Sequence, residues 1–252
     1  MNIILNIGTH GDEKIGFAVA KELEKLKLSK KHLTIQIANK RACELNKRFV
    51  DQDLNRSFPG KQNGNHEQKL AYTLSPIIKS ADLVIDIHST TSNLKDALIV
   101  TKINKKTLEY IKIIQPKYVL IMNATRNNAL ISQAKVGIGF EYGKDNDKQA
   151  LKKIITGIKR LLSHLGLIEH AGRKLNIKTS YFNVIQAVPK PKGYKLLKTI
   201  KNYKLVKKGQ IFARQGKNAL IAENDFYPIL FGEKNYADIF GFGGDIYSTE
   251  GV

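Results

Sequence analysis

The sequence predicts an α/β fold: a mainly parallel sheet flanked by helices, with a small β-rich C-terminal module. Three observations carry this expectation. Short apolar runs recur through the first part of the chain, helical periodicities alternate with them, and the texture changes after about Gly172. Strands that alternate with helices argue for a parallel sheet covered on both faces, and such strands read as near-continuous apolar runs.

The runs are residues 2–7, 33–38, 81–87, 97–101, 118–122 and 136–142. Between them, residues 15–26 and 67–80 carry apolar positions at helical spacing, and 150–165 is the clearest amphipathic helix, ended by Gly166 as a C-cap signal. Beyond Gly172 the β-like runs are short (195–200, 204–206, 210–212) and are punctuated by Pro189, Pro191, Gly193, Gly209 and Gly216. The expected division is therefore an α/β domain over residues 1–172 and a β-rich domain over 173–252. The glycine-rich stretch 241–252 receives no assignment.

With 252 residues, 42% hydrophobic and 25% charged, the chain has the composition of an ordinary soluble globular protein. No apolar run approaches the ~18 residues that span a membrane. The opening residues, Met1 to Ile7, lack a basic leader and read as a first buried strand rather than a signal peptide. The single cysteine, Cys43, has no internal partner, in keeping with a cytoplasmic setting. The formal charge of +20 invites a nucleic-acid reading. The basic residues are spread along the chain, and pairs such as Lys105-Lys106 and Lys152-Lys153 sit on solvated helix faces. No zinc-finger spacing or aromatic RNA-binding motif accompanies them, so a lysine-rich surface is favoured over a nucleic-acid partner. The same field attracts small acidic substrates.

Catalytic zinc needs three protein ligands and one open position. His10-Gly11-Asp12-Glu13 follows the first run directly, and a three-residue spacing puts both side chains on one side of a turn. His88, in Asp86-Ile87-His88-Ser89-Thr90, follows the third. In open parallel sheets ligands gather at the carboxyl ends of the strands. Gly8 and Gly11 allow a tight strand-to-loop turn. His32, His66, His164 and His170 fall in helices or polar loops and read as incidental. Two polar clusters join these motifs. In Arg48 to Gly60 a loop offers two guanidiniums, suited to gripping carboxylates or a developing oxyanion, unless Asp51 and Asp53 merely pair them. In Gly137-Ile138-Gly139-Phe140-Glu141-Tyr142-Gly143 a carboxylate closes an apolar strand, an unfavourable place unless something positive or catalytic receives it.

In this order, the motifs His10-Gly-Asp-Glu13, Asn39-Lys-Arg41-Ala42, Arg48 with Asp53-Leu-Asn-Arg56, Asp86-Ile-His88 and Gly139-Phe-Glu141-Tyr-Gly143 resemble the aspartoacylase and succinylglutamate desuccinylase family, a branch of the zinc carboxypeptidase-like fold. The likeness implies that His10, Glu13 and His88 hold one zinc ion and that Glu141 is the catalytic carboxylate. It implies that Arg48 polarises the scissile carbonyl, and that Asn55, Arg56 and Arg126 bind a small acidic N-acyl amino acid. Tyr236 loosely matches a tyrosine that reaches into the site. A homodimer is compatible with the family. Two positions depart from it: Met122 stands where aspartoacylases carry tyrosine, and Lys40 stands where many members have proline. The first removes one polar contact to the substrate and so weakens the case for N-acetylaspartate specificity. Two other readings use the same residues: a zinc carboxypeptidase acting on a short peptide, and an inactive zinc-binding scaffold with a nucleic-acid-binding surface.

Overall fold

The computed structural model describes the chain except residues 27, 29–31, 91–95, 124–127, 170–176, 233–235 and 252. The first part runs β1 (Ile3–Ile7), α1 (Ile15–Glu24), β2 (Leu33–Ile37), α2 (Lys40–Leu45), α3 (His66–Ser80), β3 (Leu83–His88), β4 (Ala97–Val100), α4 (Lys105–Ile114), β5 (Tyr118–Ile121), β6 (Gly137–Glu141) and α5 (Lys148–His164). Then come β7 (Ser180–Pro189), β8 (Lys195–Leu196), β9 (Ile211–Gln215), β10 (Asn218–Ile221), β11 (Tyr227–Ile229) and β12 (Ile239–Ile246).

Nine strands form one sheet in the order β11-β12-β7-β5-β4-β6-β3-β1-β2, and β10-β9-β8 form a separate small sheet. Strands β2, β1, β3 and β6 run parallel to one another, as do β4, β5 and β7. The two sets meet where β4 lies antiparallel to β6. The expected mainly parallel sheet with a small β-rich module is thus the fold observed. The chain beyond residue 176 does two things: β7, β12 and β11 extend the large sheet along β5, while β8 to β10 form the small one. The expected boundary at residue 172 lies outside the described residues.

Side chains alternate across a strand, and the two faces of the sheet are used differently. On one face Leu5, Ile85, Ile138 and Phe140 pack with Val19 of α1, Ile111 of α4 and Ile158 of α5. On the other, Ile4 and Val84 pack under Ala71, Leu74 and Ile78 of α3. That second face turns polar toward the carboxyl ends of its strands, where the register sets Asn6 beside Asp86, Asp86 beside Gly139 and His88 beside Glu141. A polar row on a buried sheet face requires internal partners, and this is where the candidate site lies.

Local signals explain most helix starts. Asn65 and Gln68 form a capping box on α3, Asn104 caps α4 through the Thr107 amide, and Asp147 caps α5. Helix α1 has no side-chain cap at its own N-cap residue; Asp145 supplies one from beyond β6, its Oδ1 accepting from the amides of Lys14 at 2.7 Å and Ile15 at 2.9 Å. The structure departs from expectation in the C-terminal part. Residues 204–206 give only an isolated bridge between Val206 and Phe226. The unassigned glycine-rich end contains β12, whose long pairing with β7 carries a segment of low intrinsic strand propensity. Among the described residues no helix is long and apolar enough to cross a membrane.

Candidate metal centre and active site

Strand β1 delivers the chain into a tight turn at Gly8, which takes φ +61°. Gly11 is required for a different reason: a Cβ there would sit 2.1 Å from the Ala42 carbonyl carbon, so only glycine lets the turn lie against α2. The turn brings His10 and Glu13 to the end of β3, where His88 is the last residue. His10 Nδ1 lies 2.7 Å from Glu13 Oε1, and His88 Nδ1 lies 2.9 Å from Glu13 Oε2. One ligand atom from each of the three residues can be chosen so that all lie within 4.8 Å of one another. The far side of each ring is held as well. His88 Nε2 meets Asp86 Oδ2 at 2.7 Å, and His10 Nε2 meets Asp53 Oδ1 at 3.3 Å. Asp86, only 1% exposed, is itself fixed by Asn6 at 2.7 Å and Thr9 at 2.8 Å. Imidazoles with a carboxylate behind and a shared carboxylate in front form the arrangement that orients histidines toward a metal.

Electrostatics agree with that geometry. Burial alone would lift the Glu13 carboxyl, but His88 and His10 against it hold it below the usual carboxylate range. Burial opposes charging of His88, yet Asp86 and Glu13 on its two sides raise it well above 6.5; His10 is raised too, chiefly by Glu13 against the same opposition. Both shifts reflect negative charge gathered around the two rings. Glu141 behaves in the opposite sense. Burial, opposed by His88 and reinforced by Glu13, pushes its carboxyl up to about 7, with Thr90 hydrogen-bonded to it.

The loop carrying the arginines is anchored from beneath. Glu67, buried in the first turn of α3, accepts the amides of Val50 at 2.6 Å, Asp51 at 2.9 Å and Gln52 at 3.1 Å, and the Asn39 side chain at 3.0 Å. Above it, Arg48 reaches Glu13 Oε1 at 3.4 Å and Asp53 Oδ2 at 3.2 Å. Burial tends to raise the Glu67 carboxyl, but these hydrogen bonds lower it below its ordinary 4.5. Its contribution to stability is therefore complete above that value and is lost as pH falls through the lowered one. In Glu67→Gln an amide group faces backbone N–H donors. The expected loss is about 2 kcal/mol at neutral pH, or a fall of roughly 4–8 °C in Tm for a chain of this size. Thermal melts at pH 7 and in mild acid check this. The gap between wild type and variant should shrink on acidification, and a widening gap contradicts the assignment.

A cleft of about 850 Å³ gathers these groups. His10, Glu13, His88, Glu141, Arg48, Asn55, Arg56 and Tyr236 all line it, so eight of the residues singled out from the sequence meet in one place. Asn55 is set by its own backbone amide donating to Asp53 at 2.8 Å and by its Oδ1 accepting from Leu130 at 3.0 Å. The exposed Arg56 guanidinium donates to the Asn55 carbonyl at 2.9 Å. Tyr236 stands edge-on to Phe242, and burial, then Glu141, pushes its phenol up to about 12. Arg126 lies outside the described residues. Sequence reasoning passed over Asp86 and Glu67 and took Asp53 only as an arginine partner. Asp86 left a legible signal, since it precedes His88 by two positions and must share its strand face. His66 and His164, read as incidental, contact Asn39 and Glu109 respectively.

The profile of the succinylglutamate desuccinylase/aspartoacylase catalytic domain matches residues 1–165. An N-acyl-aromatic-L-amino acid amidohydrolase (carboxylate-forming) of Xenopus tropicalis is 26% identical over 91% of this chain and 87% of its own length. A probable aspartoacylase of Acaryochloris marina is 34% identical, over 38% of this chain and 37% of its own. Among solved structures, murine aminoacylase 3 superposes with a TM-score of 0.81 at 18% identity, covering 98% of this chain and 95% of that one. A succinylglutamate desuccinylase/aspartoacylase from Rhodobacter sphaeroides reaches 0.74 at 20% identity, covering 98% and 86%. With the profile spanning well over half of its residues, the chain belongs to the succinylglutamate desuccinylase/aspartoacylase family.

Proposed function

We propose that the chain is a zinc-dependent amidohydrolase that splits an N-acyl amino acid into a carboxylic acid and a free amino acid. The observation that carries this reading is the convergence of His10 and His88 on Glu13 beside the raised carboxyl of Glu141. The names of the relatives support the same reaction class. Two imidazoles and a carboxylate, each ring backed by a second carboxylate, form a donor set that fits zinc. Glu13, Asp53 and Asp86 also gather negative charge about the two rings, with Arg48 against Glu13 and Asp53. His10, Glu13 and His88 would hold one ion per chain, and when bound it would polarise the scissile carbonyl and acidify a water.

The side chains do the remainder. The Glu141 carboxylate takes a proton as water oxygen adds to the carbonyl carbon, then returns it to the amine nitrogen as the C–N bond breaks. Arg48, reaching in beside Glu13, offers N–H donors to the oxygen that gains charge. Arg56 and Asn55 hold the substrate carboxylate, a planar group matched to a guanidinium. Tyr236, which keeps its proton at neutral pH, serves as a further donor from the opposite wall. The test is metal content by elemental analysis on zinc-supplied protein, with amine release followed from N-acetyl amino acids and from dipeptides. One zinc per chain with release from the N-acetyl compounds is expected. Failure to take up metal, or cleavage confined to dipeptides, overturns the reading.

A further inference from the structure

The cleft is chemically two-sided. Apart from its charged and polar groups and Gly139, its described lining is Ile99, Met122, Ala129, Ile131, Leu230 and Phe242. These form a continuous apolar surface: Met122 and Leu230 share one core cluster against which Ile99 and Phe242 pack, and Ile99 also packs on the cluster that holds Ala129 and Ile131. None of the six brings a charge. The strand register fixes where it begins. Ile99 pairs with Gly139, two positions before Glu141 on the same face of β6, so the apolar surface adjoins the reacting centre.

Gly139 is the unexpected residue. Glycine inside a strand weakens it, and its presence usually marks a steric need or a close approach by a ligand. At Gly137 the need is steric, because a Cβ there would stand 2.1 Å from the Ile131 carbonyl oxygen. At Gly139 the fold makes no such demand. A Cβ would meet nothing closer than Ile99 Cβ at 3.5 Å, with Ile131 Cδ1 at 3.8 Å, which are ordinary contacts. What a side chain at 139 would fill is space in the cleft.

Building on the amidohydrolase reading, we propose that Ile99, Met122, Ile131, Leu230 and Phe242 form a subsite for an apolar substituent of the N-acyl amino acid, and that Gly139 sets its depth. The substituent is either the acyl chain or the amino-acid side chain, both being apolar groups attached close to the scissile amide. One methylene in a well-fitted apolar pocket is worth about tenfold in kcat/KM, so a subsite of this kind discriminates strongly by substituent size.

The experiment measures kcat/KM of the zinc-supplied protein on N-acetyl-L-aspartate, N-acetyl-L-alanine, N-acetyl-L-phenylalanine and N-hexanoylglycine. The phenylalanine or the hexanoyl compound should exceed the alanine compound by at least ~10-fold, and whichever rises identifies the source of the apolar group. Gly139→Ala and Gly139→Val should lower that preference stepwise, by ~10-fold or more for valine. The thermal midpoint of Gly139→Ala should hold or rise, since alanine restricts the unfolded chain. A general packing defect would instead lower all substrates together. Preferred cleavage of N-acetyl-L-aspartate, or Gly139 variants that leave the preference intact, overturns the subsite while the amidohydrolase reading stands. If none of the four compounds is cleaved, the amidohydrolase reading falls and the subsite with it.

Discussion

Glu141→Gln is expected to lower kcat by ~10²–10⁴-fold, the contribution of a positioned general acid–base group, while zinc content stays at the wild-type level. Glutamine matches glutamate in size, so the end of β6 and its pairing with His88 and Ala97 survive. What disappears is the ability to accept a proton and give it back. The environment of the carboxyl supports this role. A general base works best with a pKa near the working pH, and burial moves Glu141 to about 7. Its base form predominates above that value, so kcat/KM should fall on the acid side, and a bound cation shifts this limb to lower pH by favouring the charged form. Kinetics across pH, with elemental analysis of the same samples, provide the check. A glutamine variant that turns over substrate at the wild-type rate would remove Glu141 from the mechanism.

His88→Ala is expected to abolish zinc retention and activity together, and to destabilise the metal-free protein as well. The imidazole occupies the centre of a chain of charges, with Glu13 at 2.9 Å on one nitrogen and Asp86 at 2.7 Å on the other. Removing one member of a buried ion pair leaves an uncompensated charge and costs roughly 3–5 kcal/mol. Asn6 and Thr9 still donate to Asp86 and temper that loss, so the lower end of the range is expected. Calorimetric melts of metal-free protein report the stability change, and elemental analysis reports the zinc. Retention of stoichiometric zinc in the variant would mean that His88 is no ligand.

Much of this site was legible in the sequence because its chemistry sits at strand ends. Buried runs such as residues 2–7 and 81–87 announce themselves by continuous hydrophobicity, and a polar residue directly after such a run stands out against it. What escaped depends on contacts between segments distant in the chain. Glu67 reads as one more acidic residue in the first turn of a helix, and only the tertiary fold reveals three backbone amides directed at it. Asp145 acts as a cap for α1 from across the sheet, and no local pattern encodes that. Strand β12 contains three glycines within Ile239–Ile246 and shows no apolar alternation; its pairing partners on both sides determine its conformation. Helix α2, six residues long, is too short for a period to emerge. Gly139 was seen as a neighbour of Glu141, but whether a glycine is needed for the backbone or for a ligand depends on what surrounds it in space.

The reversal of direction between β4 and β6 also divides the labour of the cleft. The candidate ion ligands, together with Arg48, Arg56 and Glu141, come from the turn after β1, from β3, from β6 and from the loop at residues 48–56, all upstream of residue 142. Much of the opposing wall comes from the β4 set of strands and from the C-terminal chain, where Leu230, Tyr236 and Phe242 approach from beyond β7. Leu230 and Phe242 of the proposed subsite therefore come from a stretch of polypeptide that carries none of the candidate ion ligands, and the two stretches meet at a seam. Substitutions in the later stretch can reshape the wall without touching an ion ligand, which makes this an architecture suited to trading one acylated amino acid for another by grafting.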